Sequence, residues 1–190
     1  MKKLLKSTLK VIILIFIIGF LFIQYLISDF NNPFDEFRLN ELKSEIKKAE
    51  PVPADFIEIY NKVNPITNTN GILLDAFKEN YGRECPCLNL ARLSGLYSNN
   101  KLLGNDYTLA WKLEKEFTQE QCFNFYSKIY DFTYNNIGLY SASEFFFKKP
   151  LNKLNYEQMA TLAIMFQNSS LYNPIRNPEG IKQKLSELKN

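Results

Sequence analysis

The chain has 190 residues, 46% of them hydrophobic and 23% charged, with a formal net charge of +3. That apolar share supports a packed core in one domain with appendages, and so small a charge excess, much of it N-terminal, is no footprint of a nucleic-acid binder. The sequence contains no histidine, which excludes a Ser-His-Asp triad, other His-based catalysis and His-ligated metal. Three cysteines, Cys85, Cys87 and Cys122, leave at least one thiol unpaired or intermolecular. Cys85 and Cys87 are too close for an ordinary bridge to each other, so Cys122 with one of the two is the expected pair. Three thiols make a thin zinc set.

Residues 1–28 open with Lys2, Lys3, Lys6 and Lys10, followed by an almost unbroken apolar run from Val11 to Ile27. At 1.5 Å per residue such a run spans the hydrocarbon layer, and the lysines are expected on the cytoplasmic side. No small-x-small cleavage pattern precedes Asp29, so an uncleaved anchor is expected rather than a signal peptide. In residues 29–50, Phe34, Phe37, Leu39, Leu42 and Ile46 recur near helical spacing among charges, an amphipathic juxtamembrane helix or stalk. Pro51 and Pro53 end it.

Residues 51–190 then read as helices with short connections. Pro53 suits the first turn of a helix over Ala54–Val63, and Asn64-Pro65 closes it. The stretch "ITNTNG" reads as a loop, Ile72–Tyr81 as a helix stopped by Gly82, and "RECPC" as a break. Further helices are expected over Leu88–Tyr97, Asp106–Phe117, Thr118–Phe132, Gly138–Phe147, Tyr156–Gln167 and Glu179–Leu188. Thr118 with Gln121 makes a capping-box pattern. No run alternates in the manner of a strand, so the class is all-α. Phe145 to Phe147 read most simply as core aromatics, and Met159, Leu162, Ala163 and Phe166 as the core face of a helix.

Gly138-Leu139, Ser141 to Phe147, Lys149-Pro150, Leu154, Gln158, Ala160, Leu162-Ala163, Tyr172-Asn173-Pro174 and Asn177-Pro178 fall in a spacing that resembles the glycosyltransferase family 51 domain. These are the peptidoglycan glycosyltransferases of penicillin-binding proteins and monofunctional transglycosylases. "FTQEQCFNFYSKIYDF" resembles a further family segment. The likeness is good over 115–190 and weak over 51–114. It implies a lysozyme-like helical domain behind one transmembrane helix, in the bacterial cytoplasmic membrane, single-pass, with the C-terminal domain outside. It also implies a lipid-linked peptidoglycan precursor or glycan strand, and other cell-wall synthesis proteins, as partners. No cofactor is expected, beyond a divalent metal if transfer is retained.

The family's reaction needs a base to take a proton from the acceptor hydroxyl. In the family that base is a glutamate within a motif that also holds histidine. Counting forward from Pro53, its position falls on Asn64, whose amide cannot serve. The following loop is about two residues short, and "CPCLNLARL" keeps neither the Ser-Thr pair nor the glutamines of the family's next motif. The second glutamate position falls on Asp106, which is also a plain helix N-terminal acid. Of the basic residues that would neutralise a diphosphate, Lys101 and Arg176 remain, with Lys182 and Lys184 in a basic tail. Glu58 lies nearly two turns away from the base position. Three readings follow: a transglycosylase-like protein that binds or regulates without catalysis, a divergent active glycosyltransferase, and an anchored interaction module with no glycan role.

Overall fold

The computed structural model describes residues 2–28, 30, 32–78, 82–96, 103 and 105–188. Ten α-helices follow one another among these residues: α1 (Lys2–Ile27), α2 (Glu36–Lys48), α3 (Ala54–Val63), α4 (Thr69–Lys78), α5 (Pro86–Leu93), α6 (Asp106–Glu114), α7 (Gln119–Ile129), α8 (Leu139–Phe147), α9 (Tyr156–Met165) and α10 (Pro178–Glu187), with one 3-10 turn at Leu151–Lys153. No strand occurs among the described residues, only isolated bridges joining Ile66 to Glu84 and Asp131 to Ile137. The all-α expectation holds.

Local chemistry sets the helix ends. Thr118 Oγ1 accepts from the Gln121 N–H while the Gln121 side chain accepts from Thr118 N–H, the capping box the sequence indicated. Asn155 and Gln158 form a second such box on α9. Asp35, Asn105 and Asn177 cap α2, α6 and α10 with their side-chain oxygens. Each cap satisfies an N–H that the first helical turn leaves without a partner. Gly138 precedes α8 at φ 90°, and a Cβ there would lie 2.8 Å from the Lys128 carbonyl oxygen, so only glycine fits this approach.

α5 packs against both α6 and α7, α3 packs on α9, α10 on α9, and α2 on α7. Where these layers meet, Tyr60, Phe123, Tyr126, Tyr130, Phe132 and Phe166 interlock, with ring centroids between 4.1 Å (Tyr60–Phe123) and 6.3 Å (Phe123–Tyr126). Mostly tilted and edge-on arrangements of this kind suit the ring quadrupoles and add to the burial of large apolar areas. Leu162, Ala163 and Phe166 are buried as expected, with Met159 half-buried.

Several expectations need correction. Phe37 is 78% exposed, since only Phe34, Leu39, Leu42 and Ile46 of its stretch turn inward. Phe145 to Phe147 are half-buried at the rim, where Phe145 and Phe146 pack with the Tyr134 ring. The supposed loop "ITNTNG" already turns helical at Thr69, because the Thr69 N–H and Oγ1 both donate to Glu114 Oε1 at 2.8 Å. Likewise α5 starts at Pro86 and ends at Leu93, earlier than the sequence suggested.

α1 is long and apolar enough over Lys6–Ile27 to cross a membrane. Its apolar side chains from Val11 to Ile23 face outward, and only at its end does Leu26 become buried. There the Lys112 and Lys115 ammonium groups donate to the carbonyls of Ser28 and Ile27, at 2.8 and 3.3 Å. Cations at a helix C-terminus engage its last carbonyls and favour the negative end of its dipole.

Cys87 and Cys122 form a disulfide between α5 and α7, with Cα atoms 5.0 Å apart, and Cys85 stays free and buried. A bridge across 35 residues restricts the unfolded chain by about 4 kcal/mol in the loop-entropy picture. A Cys87→Ala/Cys122→Ala double variant should therefore lose about 2–4 kcal/mol in denaturant unfolding. An unchanged midpoint would show that the bridge is not formed in solution.

Candidate functional site

Asn64 is the C-cap of α3, where its N–H donates to the Tyr60 carbonyl at 2.7 Å. Its side chain is fully buried. Nδ2 donates to the Ala163 carbonyl at 2.8 Å, and Oδ1 accepts from Gln167 Nε2 at 2.8 Å. Both ends of the amide are thus committed, one to α9 and one to Gln167, two residues past its end. A neutral amide so engaged takes no proton from an incoming hydroxyl.

After Asn64 the chain runs extended for only a few residues. The Glu84 N–H donates to the Pro65 carbonyl at 2.9 Å, and the Thr67 N–H to the Glu84 carbonyl at 2.8 Å. This pairing brings Glu84, which the sequence reading passed over in the "RECPC" break, beside Asn64. Glu84 accepts a 2.5 Å hydrogen bond from Asn89 Nδ2 on α5, one turn before Arg92. Burial pushes its carboxyl above the ordinary glutamate range, against the hydrogen bond from Asn89 and the charge of Arg92. Glu84, Asn89, Arg92, Tyr126, Phe166 and Gln167 help to line a cavity of about 280 Å³.

Beneath lies Tyr60, fully buried, whose hydroxyl has no hydrogen-bond partner among the described residues. Burial and then the nearby charge of Glu84 raise it well above the usual phenol value.

Glu114 forms a second carboxylate centre that no sequence motif indicated. Its Oε1 accepts from Thr69 N–H and Oγ1 (2.8 Å each), Gln119 Nε2 (2.7 Å) and Cys85 Sγ (3.4 Å). Together these tie α4, α5, α6 and the start of α7 to one oxygen. Cys85, pushed up to about 11 chiefly by burial, is a packed thiol rather than a nucleophile.

The other expected site residues lie apart. Asp106 is half-buried in the first turn of α6, which packs on α5, α1 and α4, whereas Asn64 belongs to the α3–α9 pair. Asp106 does not line the cavity beside Asn64. Lys101 lies outside the described residues. Arg176 is exposed in the turn before α10, where its N–H donates to Asn173 Oδ1 at 3.1 Å. Glu58 points to solvent and pairs with Lys62 at 2.7 Å, which holds its carboxyl below the usual range. Lys184 reaches Glu187 at 3.1 Å, and Lys182 is exposed. No group of three or more metal-ligating side chains occurs among the described residues.

The described residues thus form an all-α domain behind an apolar N-terminal helix, with the buried Asn64 amide and the Glu84 carboxyl in one region. Residues 98–189, just under half of the chain, match the family model described as Transglycosylase. The chain is 28% identical over 154 residues to penicillin-binding protein 1A/1B of Bacillus subtilis (strain 168), covering 77% of this chain and 17% of that protein. Penicillin-binding protein 1A of Streptococcus pneumoniae (strain ATCC BAA-255 / R6) is 34% identical over 87 residues, 43% of this chain and 12% of its own. Penicillin-binding protein 4 of Bacillus subtilis (strain 168) is 29% identical over 79 residues, 42% of this chain and 13% of its own. The chain spans less than a fifth of the length of these relatives.

Because the folded Glu84 carboxyl is raised above its unfolded value of about 4.3, its stabilising contribution is full below that value and is lost as pH rises through the folded one. Glu84→Gln should therefore gain thermal stability relative to the parent as pH goes from about 4 to 8, measured by melting in detergent. A difference that stays flat across this range would place the Glu84 carboxyl in ordinary solvent.

Proposed function

We propose that this chain is a membrane-anchored member of the transglycosylase family that holds a lipid-linked peptidoglycan precursor or a glycan strand without joining sugars. One observation carries this reading: the Asn64 side chain, at the base position, is fully buried with both ends of its amide hydrogen-bonded. A substitution at a solvent-open base would leave room for water or a neighbouring acid to act. Here the site is filled by structural contacts, and Pro65 to Thr67, the loop that follows the base position, is pinned to Glu84 instead of lining an open cleft.

Placement outside the cytoplasm is supported by two independent features. The lysines at the start of α1 favour the cytoplasmic side under the positive-inside rule. The Cys87–Cys122 bridge suits an oxidising compartment. Lys101 and Arg176 remain as diphosphate contacts in this proposal, while Asp106, at the second-glutamate position, opens α6. A non-transferring homologue of this kind would act by occupying precursor or by recruiting other cell-wall synthesis proteins to it.

Full-length protein in detergent micelles should bind fluorescent lipid-linked disaccharide precursor saturably, with Arg176→Ala weakening it several-fold. No saturable binding by the parent protein would overturn the proposal in favour of an interaction module without a glycan ligand.

A further inference from the structure

A second cavity, of about 420 Å³, opens where the chain leaves α1, between the start of α2 and the end of α6. Lys43 on α2, Lys112 on α6 and Lys115 at the C-terminus of α6 line it, with Glu36 and Glu116 in the same walls. Three ammonium groups against two carboxylates leave the lining net positive. The Lys43 ammonium already engages Glu116, so the excess falls on the α6 side, at Lys112 and Lys115. Asn32 and Asn40 add two exposed amides.

The depth of the cavity relative to α1 is fixed by contact. The ammonium groups of Lys112 and Lys115 donate to the Ser28 and Ile27 carbonyls, and Ile27 is the last residue of the apolar stretch Lys6–Ile27. A helix that crosses a bilayer ends its apolar stretch where hydrocarbon gives way to headgroups. On a membrane-crossing α1 these cations therefore sit at headgroup depth. An ammonium carries three N–H donors, so a carbonyl and a further acceptor fit on one lysine. Capping of α1 accounts for the two lysines of α6, but not for the cavity beside them or for the third lysine that lines it from α2.

The chemistry of the lining selects a ligand. Lysines clustered beside a membrane helix attract anionic lipid headgroups. A phosphodiester offers acceptors for charge-assisted hydrogen bonds from Lys112 and Lys115. Oxygens of Asn32, Asn40 and Glu36 accept from hydroxyls, which suits a glycerol on that phosphate. A choline or ethanolamine headgroup carries no net charge and leaves the excess on α6 unmatched. Among the described residues only Leu39 adds an apolar side chain to the lining, so acyl chains are left to run beside α1 in the bilayer.

We propose that this cavity binds the phosphoglycerol headgroup of an anionic phospholipid, its phosphate held by Lys112 and Lys115 and its hydroxyls by Asn32, Asn40 and Glu36. The proposal rests on α1 spanning the membrane and does not depend on whether the domain holds a glycan. One lipid would thereby join α1, α2 and α6.

The test uses full-length protein in detergent micelles, titrated with phosphatidylglycerol, phosphatidylethanolamine or phosphatidylcholine, with retained lipid counted by native mass spectrometry. Phosphatidylglycerol should be retained about tenfold more tightly than either zwitterionic lipid. Lys115→Ala, at an exposed position, and Lys43→Ala should each weaken that retention about fivefold. Lys153→Ala, an equal loss of charge on the exposed 3-10 turn, should leave it unchanged. Equal retention of the three lipids overturns the proposal, and so does a preference that both lysine variants keep. Displacement of the bound lipid by inorganic phosphate or by lipid-linked disaccharide precursor also overturns it, because the cavity would then be a general phosphate site or the precursor's own. In a parallel arm the protein is reconstituted into vesicles and should resist alkaline extraction. Release at alkaline pH overturns the membrane-spanning reading of α1, a failure distinct from lost headgroup selectivity.

Discussion

The side-chain amide of Asn64 fastens the end of α3 to the end of α9, and the arrangement of the cavity follows from it. Its Nδ2 holds the Ala163 carbonyl and its Oδ1 holds Gln167. A carboxylate at this position has no donor to give Ala163 and would carry a charge into a fully buried site. The contact that secures the two helices is therefore incompatible with a free base in the same place.

The rest of the domain reinforces that outcome. Glu114 draws Thr69, Gln119 and Cys85 onto one oxygen, so the segment after Asn64 is short and anchored at both ends. The Cys87–Cys122 bridge fixes α5 to α7 next to it. Arg83 clamps Asp75 on α4 through two hydrogen bonds of 2.6 and 2.5 Å. These contacts tie residues 69–87 to Glu114, Gln119 and Cys122 inside the matched segment. From α7 onward the matched segment supplies aromatic packing and capped helix ends.

Much of the fold was legible in the sequence because its signals are local. Pro53 and Asn64-Pro65 bracket α3 at Ala54–Val63, and the Thr118/Gln121 capping box opens α7. Signals that depend on a distant neighbour were not. Periodicity placed Phe37 and Phe145 on apolar faces but could not tell which part of a face meets a partner, and both lie outside the core. Cysteine spacing left Cys85 and Cys87 open; the start of α5 at Pro86 decides it, turning Cys87 to Cys122 and Cys85 to Glu114. Glu84 was invisible as a site residue, since its place depends on backbone pairing with residues 65–67 across an intervening helix. The burial of Asn64 could only come from the packing of α9.

The central claim is that occupation of the base position by a committed amide leaves binding without transfer. The most direct measurement is glycan polymerisation by purified full-length protein in detergent, supplied with lipid-linked disaccharide precursor and read by gel separation of labelled chains. The account expects no chains longer than the supplied unit, at any pH from 5 to 9. Polymer formed by the parent protein and abolished by Asp106→Ala would contradict it and identify the chain as a divergent glycosyltransferase.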